Sequence, residues 1–212
     1  MKIKKLGHCC LVLEIEGLRI MTDPGMFTTT THTKEEGIDF VLITHEHGDH
    51  LHVESLKEVL EKNPDAHVIC NAAVAKLLSK QGIESTHISG GESAEVKGVK
   101  IEGFGTEHAE IFESFGLVEN TGYMVAEKFY FPGDSFYNPK RAVDVLALPI
   151  AGPWMRVAHA VNFLKEVKPR VAFGVHDGLL VPSFRGFVVA LFEKFAPDTQ
   201  YVSIADGASK EF

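Results

Sequence analysis

The hydrophobic positions of this chain fall into short β-like runs alternating with helical ones. Residues 10–16 (Cys-Leu-Val-Leu-Glu-Ile-Glu) and 18–22 (Leu-Arg-Ile-Met-Thr), separated by Gly17, predict a hairpin. Residues 39–44 form a continuous apolar run, as expected of a strand buried on both faces. A helix over 53–62 follows, with apolar positions at Leu56, Val59 and Leu60, and it must stop before Pro64. The pattern then predicts a strand at 67–70, a helix at 72–81 and several strands between 84 and 107. A second hairpin-like pair spans 121–126 and 128–131. Beyond it come a strand at 143–148, a helix at 155–167, a strand at 170–175, a helix at 184–195 and a strand near 200–204.

The halves echo each other. A hairpin leads into Asp23-Pro24 in the first and into Pro132-Gly133-Asp134 in the second. Each is followed by an aspartate, Asp39 or Asp144, that opens an apolar strand. The pattern reads as an internal duplication of two β-rich layers, with chance similarity between two βαβ-like segments as the alternative. No Pro/Gly/Ser-rich linker separates them, so one domain over residues 1–212 is expected.

Chemistry concentrates at His45-Glu46-His47-Gly48-Asp49-His50. This run lies between a buried strand and a helix, where α/β sheets place ligands. The chain is turning there, and Gly48 suits a tight turn. His45 and His47 therefore can reach one metal while Asp49 and His50 turn toward a second position. Imidazole nitrogens and carboxylate oxygens suit zinc, iron or manganese. The bland alternative, an exposed histidine-rich loop, does not account for three histidines and an aspartate at this spacing.

Bulk properties narrow the picture. The chain has 212 residues, 45% of them hydrophobic, enough for a sizeable core, and a formal net charge of −8. Its 21 Lys and Arg are scattered, so no nucleic-acid partner is expected. The three cysteines (Cys9, Cys10 and Cys70) have no disulfide-framework spacing, and Cys9 and Cys10 read as small buried hydrophobes. Neither a signal peptide nor a membrane-spanning run is evident, which predicts a soluble cytoplasmic protein without a membrane partner. The sequence specifies no oligomeric state.

His45-x-His47-x-Asp49-His50 resembles the H-x-H-x-D-H signature of the metallo-β-lactamase superfamily, and the resemblance covers essentially the whole chain. Thr22-Asp23-Pro24 resembles that superfamily's first motif. The fold it implies is an α/β, four-layer αββα sandwich. It further implies a first metal held by His45, His47 and His108, and a second held by Asp49, His50 and His176, with Asp134 bridging. The cofactor expected is two divalent metal ions, zinc first, with manganese or iron as alternatives. A hydroxide shared between the metals would attack a small-molecule ester, lactone or phosphoester, oriented by Asp49 as the catalytic carboxylate. Gly7-His8 and Val175-His176-Asp177-Gly178 look most like the small branch that includes ascorbate-6-phosphate lactonase-like proteins. Two other activities occur on this scaffold: di-iron redox or O2 handling, and nucleic-acid phosphodiester cleavage. Di-iron relatives carry a glutamate where this chain has His47 and a fused flavin domain for which it has no room.

Several residues carry paired readings. Asp23 either orients a ligand histidine or caps the loop after its strand. His8 either lines the pocket or is a satisfied structural histidine. Arg156 and Arg185 are candidates for receiving an anionic substrate group, or else solvated helix residues. Phe112, Phe115, Trp154 and Met155 read as a pocket wall or as core. The polar stretch 27–33 reads as a mobile loop over the site or an ordinary surface loop. His52 is expected on the exposed start of a helix, and His67, His87 and His159 as structural or surface residues.

Overall fold

The computed structural model describes all 212 residues. One seven-stranded sheet is built from β1 (Lys2–Gly7), β2 (Cys10–Ile15), β3 (Leu18–Thr22), β4 (Phe40–Ile43), β5 (His67–Cys70), β6 (Ser85–His87) and β14 (Ser209–Glu211), in the order β14-β1-β2-β3-β4-β5-β6. The other holds β7 (Ser93–Val96), β8 (Val99–Phe104), β9 (Gly122–Val125), β10 (Phe129–Phe131), β11 (Val145–Pro149), β12 (Val171–Val175) and β13 (Gln200–Tyr201), in the order β13-β12-β11-β10-β9-β8-β7. Three antiparallel pairings followed by three parallel ones run across each sheet. The duplication visible as two hairpins and two Asp-led strands is thus a match of complete sheet topology.

Alternation explains the layers. In β4, Phe40 and Leu42 face the other sheet while Val41 and Ile43 face outward. Phe129 and Phe131 of β10 and Phe173 of β12 complete the inner core from the opposite side. Helices α2 (Val53–Lys62) and α3 (Ala72–Ser79) cover the outer face of the first sheet through Leu56, Val59, Val74 and Leu78. Helices α4 (Val157–Val167) and α5 (Pro182–Phe195) cover the second through Phe163, Leu164, Val188 and Phe192. The architecture is the expected αββα sandwich. No helix is long and apolar enough to cross a membrane.

Three segments depart from the pattern reading. β1, from the polar-looking Lys-Ile-Lys-Lys-Leu, and the exposed edge strand β14 are set by pairing, with Lys2 opposite both Glu14 and Glu211. The stretch 27–33, read as a mobile or an ordinary surface loop, has regular turns of its own. Met26–Thr28 makes a 3-10 turn and α1 (Thr29–His32) a single helical turn. The hydroxyls of Thr31 and Thr33 bond back to the carbonyls of Thr28 and Thr29. His32 is fully buried, with Nδ1 2.9 Å from Thr28 Oγ1 and Nε2 2.7 Å from Ser55 Oγ, which pins the segment to α2.

A buried ion pair ties the layers together beside the ligand loops. Lys5 Nζ of β1 donates to Asp177 Oδ2, just beyond β12, at 2.6 Å, and both side chains are almost fully buried. Arg185 Nε lies 3.2 Å from the same oxygen. Removing one partner leaves the other charged and poorly solvated. Lys5→Met is therefore expected to lower unfolding free energy by about 3 kcal/mol, read from urea denaturation; an unchanged midpoint would dismiss the tie.

Candidate metal centre

The site lies where the strands of both sheets end. Thr44 leaves β4 and the chain turns through residues 45–50, close against the segment after β3. Gly25 makes that approach possible, since a Cβ there would sit 1.8 Å from the Asp49 carbonyl oxygen. From the second layer, Pro132-Gly133-Asp134 turns sharply after β10. Gly133 has φ +63°, and a Cβ on it would meet Asn120 Oδ1 at 2.3 Å. Asn120 accepts from the Asp134 amide at 3.0 Å and donates to the Pro132 carbonyl at 3.0 Å, clamping the turn.

Two groups of ligand atoms converge. Those of His45, His47 and His108 lie within 4.8 Å of one another, as do those of His8, Asp49, His50 and His176. Asp134 stands between them. Its Oδ2 is 3.2 Å from His108 Nε2 and 3.0 Å from His176 Nε2, and its Oδ1 is 3.2 Å from His50 Nε2. All seven residues of the expected ligand set thus meet in one place. Only His47 and Asp49 among them reach solvent appreciably, so the open face lies on their side.

Asp23 takes the orienting position. It is fully buried, accepting from the Thr44 amide at 2.8 Å and hydroxyl at 2.7 Å, and its Oδ2 lies 2.6 Å from His50 Nδ1. That contact aims His50 Nε2 inward. The Nδ1 of His108 donates to the Ala109 carbonyl, leaving its Nε2 free in the same way. His8 is buried, its Nε2 3.2 Å from Asp49 Oδ2 and its ring 4.2 Å from that of His176. Cys9 is buried as expected, yet its sulfur also lies within 4.8 Å of ligand atoms of His50 and Asp134. Burial pushes the Cys9 thiol well above its ordinary range.

The other nominated residues divide. The Trp154 indole Nε1–H donates to Asp134 Oδ2 at 2.9 Å, and its ring lies 5.8 Å from His108 and 5.7 Å from His176. Its side chain is more than pocket wall, and only the proximity of its N–H to a carboxylate, invisible in sequence, gives that away. Arg185 is committed to Asp177 through the ion pair and a 3.1 Å bond to its carbonyl. Arg156 is exposed at the start of α4, its guanidinium 3.5 Å from His159 Nε2. His52 caps α2, accepting from the Ser55 amide. His67, His87 and His159 contribute nothing to the centre. Asn120 and Lys5 carried no motif that would have singled them out, and Asp177 stood in the Val-His-Asp-Gly motif without an assigned role.

The donor set fits divalent cations. His45 Nε2, His50 Nε2, His176 Nε2 and Asp134 Oδ1 are buried without a well-aligned hydrogen-bond partner, an arrangement that costs free energy unless something else binds them. Burial keeps His45 well below the ordinary imidazole range and lowers His47 and His8 as well, so these rings are neutral donors. Burial would raise Asp134, but the imidazoles of His50 and His176 outweigh it and hold the carboxyl well below its usual range. Burial opposes protonation of His50, yet Asp134 and Asp23 raise it well above its ordinary value. In the metal-free chain, protons on His50 and His176 supply the positive charge that the carboxylates demand, and cations would displace them.

A family model described as beta-lactamase superfamily domain matches residues 2–176. The chain belongs to the metallo-β-lactamase superfamily. Among superfamily relatives, Protein Rv0786c of Mycobacterium tuberculosis is 33% identical over 193 residues, covering 88% of each chain. A UPF0173 metal-dependent hydrolase of Archaeoglobus fulgidus is 28% identical, covering 83% of each. Igni18, a metallo hydrolase from Ignicoccus hospitalis, superposes with a TM-score of 0.80 at 21% identity, covering 100% of this chain and 98% of its own. The narrower resemblance to ascorbate-6-phosphate lactonase-like proteins rests on the motifs that suggested it alone.

Two measurements follow. Trp154→Phe keeps an aromatic ring but removes the N–H on Asp134, and is expected to lower zinc affinity about 10–100-fold, measured by competition with a chromophoric chelator. Equal affinities would deny the indole a positioning role. The second concerns pH. Burial disfavours the His176 cation, but Asp134 and Asp49 push it up to about 9 from an ordinary 6.5. A raised pKa stabilises the folded state fully below the unfolded value, and the contribution disappears as pH rises through the folded one. Metal-free protein is expected to lose about 3 kcal/mol between those two values, a loss absent with zinc bound; denaturation midpoints at pH 6, 7.5 and 9 check it.

Proposed function

We propose that the protein is a dinuclear metal-dependent hydrolase of small esters, lactones or phosphoesters. The observation that carries this reading is Asp134, whose carboxylate stands between two converging groups of histidine and aspartate donors. The likeness to the Archaeoglobus metal-dependent hydrolase supports it.

His45, His47 and His108 would hold one cation, and Asp49, His50 and His176 the other, with Asp134 shared. Bound there, divalent cations would supply Lewis acidity, favouring deprotonation of an attacking water at neutral pH and stabilising developing oxyanion charge. The protein's own part is geometric and electrostatic. Asp23 and the Ala109 carbonyl fix which nitrogens of His50 and His108 face inward. Asp49, on the open face, would accept a hydrogen bond from the attacking water and orient it. Attack forms one bond from water oxygen to the acyl carbon or phosphorus, and the bond to the leaving oxygen breaks. The departing alkoxide takes up the proton that the attacking water gives up.

His47 and the acidic net charge of −8 argue against the di-iron and nucleic-acid readings respectively. Asp134→Ala is expected to lose metal and turnover together. Metal content by mass spectrometry is to be compared with hydrolysis of p-nitrophenyl acetate, a lactone and bis-p-nitrophenyl phosphate. Two bound metals and undiminished turnover in that variant would sink the bridging role. Iron with an oxygen-dependent activity and no hydrolysis in the native protein would sink the hydrolase reading.

A further inference from the structure

Single exposed hydrophobic residues need no explanation, but a concentration of them around one site does. Eleven large apolar or aromatic side chains are substantially exposed, and ten of them lie on the four segments that follow Asp23, His108, Asp134 and His176. Phe112 and Phe115, at 68% and 71% exposure, stand on the loop leaving His108. Phe184 and Phe187, 5.9 Å apart, open α5 beyond His176. Tyr137 follows Asp134, and the exposed Phe27 reaches back to within 5.0 Å of the His8 ring, which itself touches Asp49. Phe27 thus brings this apolar rim into contact with the metal centre.

Charge on the same segments sets the chemistry of what binds. The loop 105–122 carries Glu107, Glu110, Glu113 and Glu119 and no Lys or Arg. Residues 24–33 carry no charged side chain besides His32, which is buried. Arg185 shares Asp177 with Lys5 and bonds to the Asp177 carbonyl, and Arg156 turns along α4 to His159. On the segments after Asp23 and His108, a phosphate would thus meet apolar and acidic surface with no guanidinium fork to receive it. Resting on the hydrolase reading above, we infer that the substrate is a neutral carboxylic ester or lactone bearing an apolar chain, which lies across this rim while its carbonyl faces Asp49 and Asp134. Hydrolysis adds water across the acyl C–O bond, giving a carboxylate and an alcohol.

The test uses zinc-loaded protein and two chain-length series. In the first, kcat/KM for p-nitrophenyl esters from acetate to octanoate is expected to rise about two- to fourfold per methylene, since full burial of one is worth about fourfold. In the second, n-alkyl hydroxamates of the same lengths, which bind without being cleaved, are titrated by calorimetry and should tighten in parallel. Phe112→Ser/Phe115→Ser and Phe184→Ser/Phe187→Ser should flatten both series. Flat series in the native protein, or bis-p-nitrophenyl phosphate preferred over every ester, would overturn the inference while leaving a metal-dependent hydrolase in place. Hydroxamates that tighten with length while no ester, lactone or phosphoester turns over would instead remove the hydrolase reading and keep the apolar subsite. Sedimentation at several concentrations covers the remaining occupant. A dimer abolished by the Phe112/Phe115 variant, with flat series, would assign the rim to a second copy and overturn the inference.

Discussion

A carboxylate buried between two sheets stays ionised only if positive charge or strong donors surround it. Asp134 has that surrounding from every direction: His50 from the first layer, His108 and His176 from the second, and the Trp154 N–H. The remaining donors are organised around this one group. Asp23 turns His50 toward it, the Asn120 clamp sets its backbone, and the Lys5–Asp177 pair holds the His176 segment against the first sheet. The centre is therefore a property of the interface between layers, and neither sheet alone assembles it.

The duplicated topology supplies that interface. Equivalent sheets, each switching from antiparallel to parallel pairing, present their strand ends at one edge of the sandwich. The turns after β3, β4, β10 and β12 then project into a shared space. The two halves contribute unequally, however. The first delivers a dense run from His45 to His50, whereas the second sends single residues, His108, Asp134 and His176, from three separate turns.

That inequality explains what was legible in sequence. Ligands packed into six residues announce themselves by spacing, and the buried strands by apolar runs whose alternate residues serve two cores. His108, Asp134 and His176 gained meaning only from their order along the chain. Trp154 and Asn120 act through contacts across 20 and 14 residues respectively, and no local pattern encodes such contacts. β1 escaped because its three lysines mask the core residues Ile3 and Leu6, and β14 because pairing along the sheet edge defines it. The 27–33 stretch misled for a related reason: threonine hydroxyls satisfy the backbone locally, so a polar run can form a pinned turn.

Trp154 is the chain's only tryptophan, and it sits against two imidazoles and the central carboxylate. Excitation at the red edge of the absorption, which the four tyrosines hardly share, consequently reports on a single chromophore in the wall of the candidate metal centre. Protonation of a neighbouring imidazole quenches an indole, and a paramagnetic ion at that range does so too, whereas zinc does not. The molecule thus carries an optical probe of what its histidines hold, with no label and little background from elsewhere in the fold.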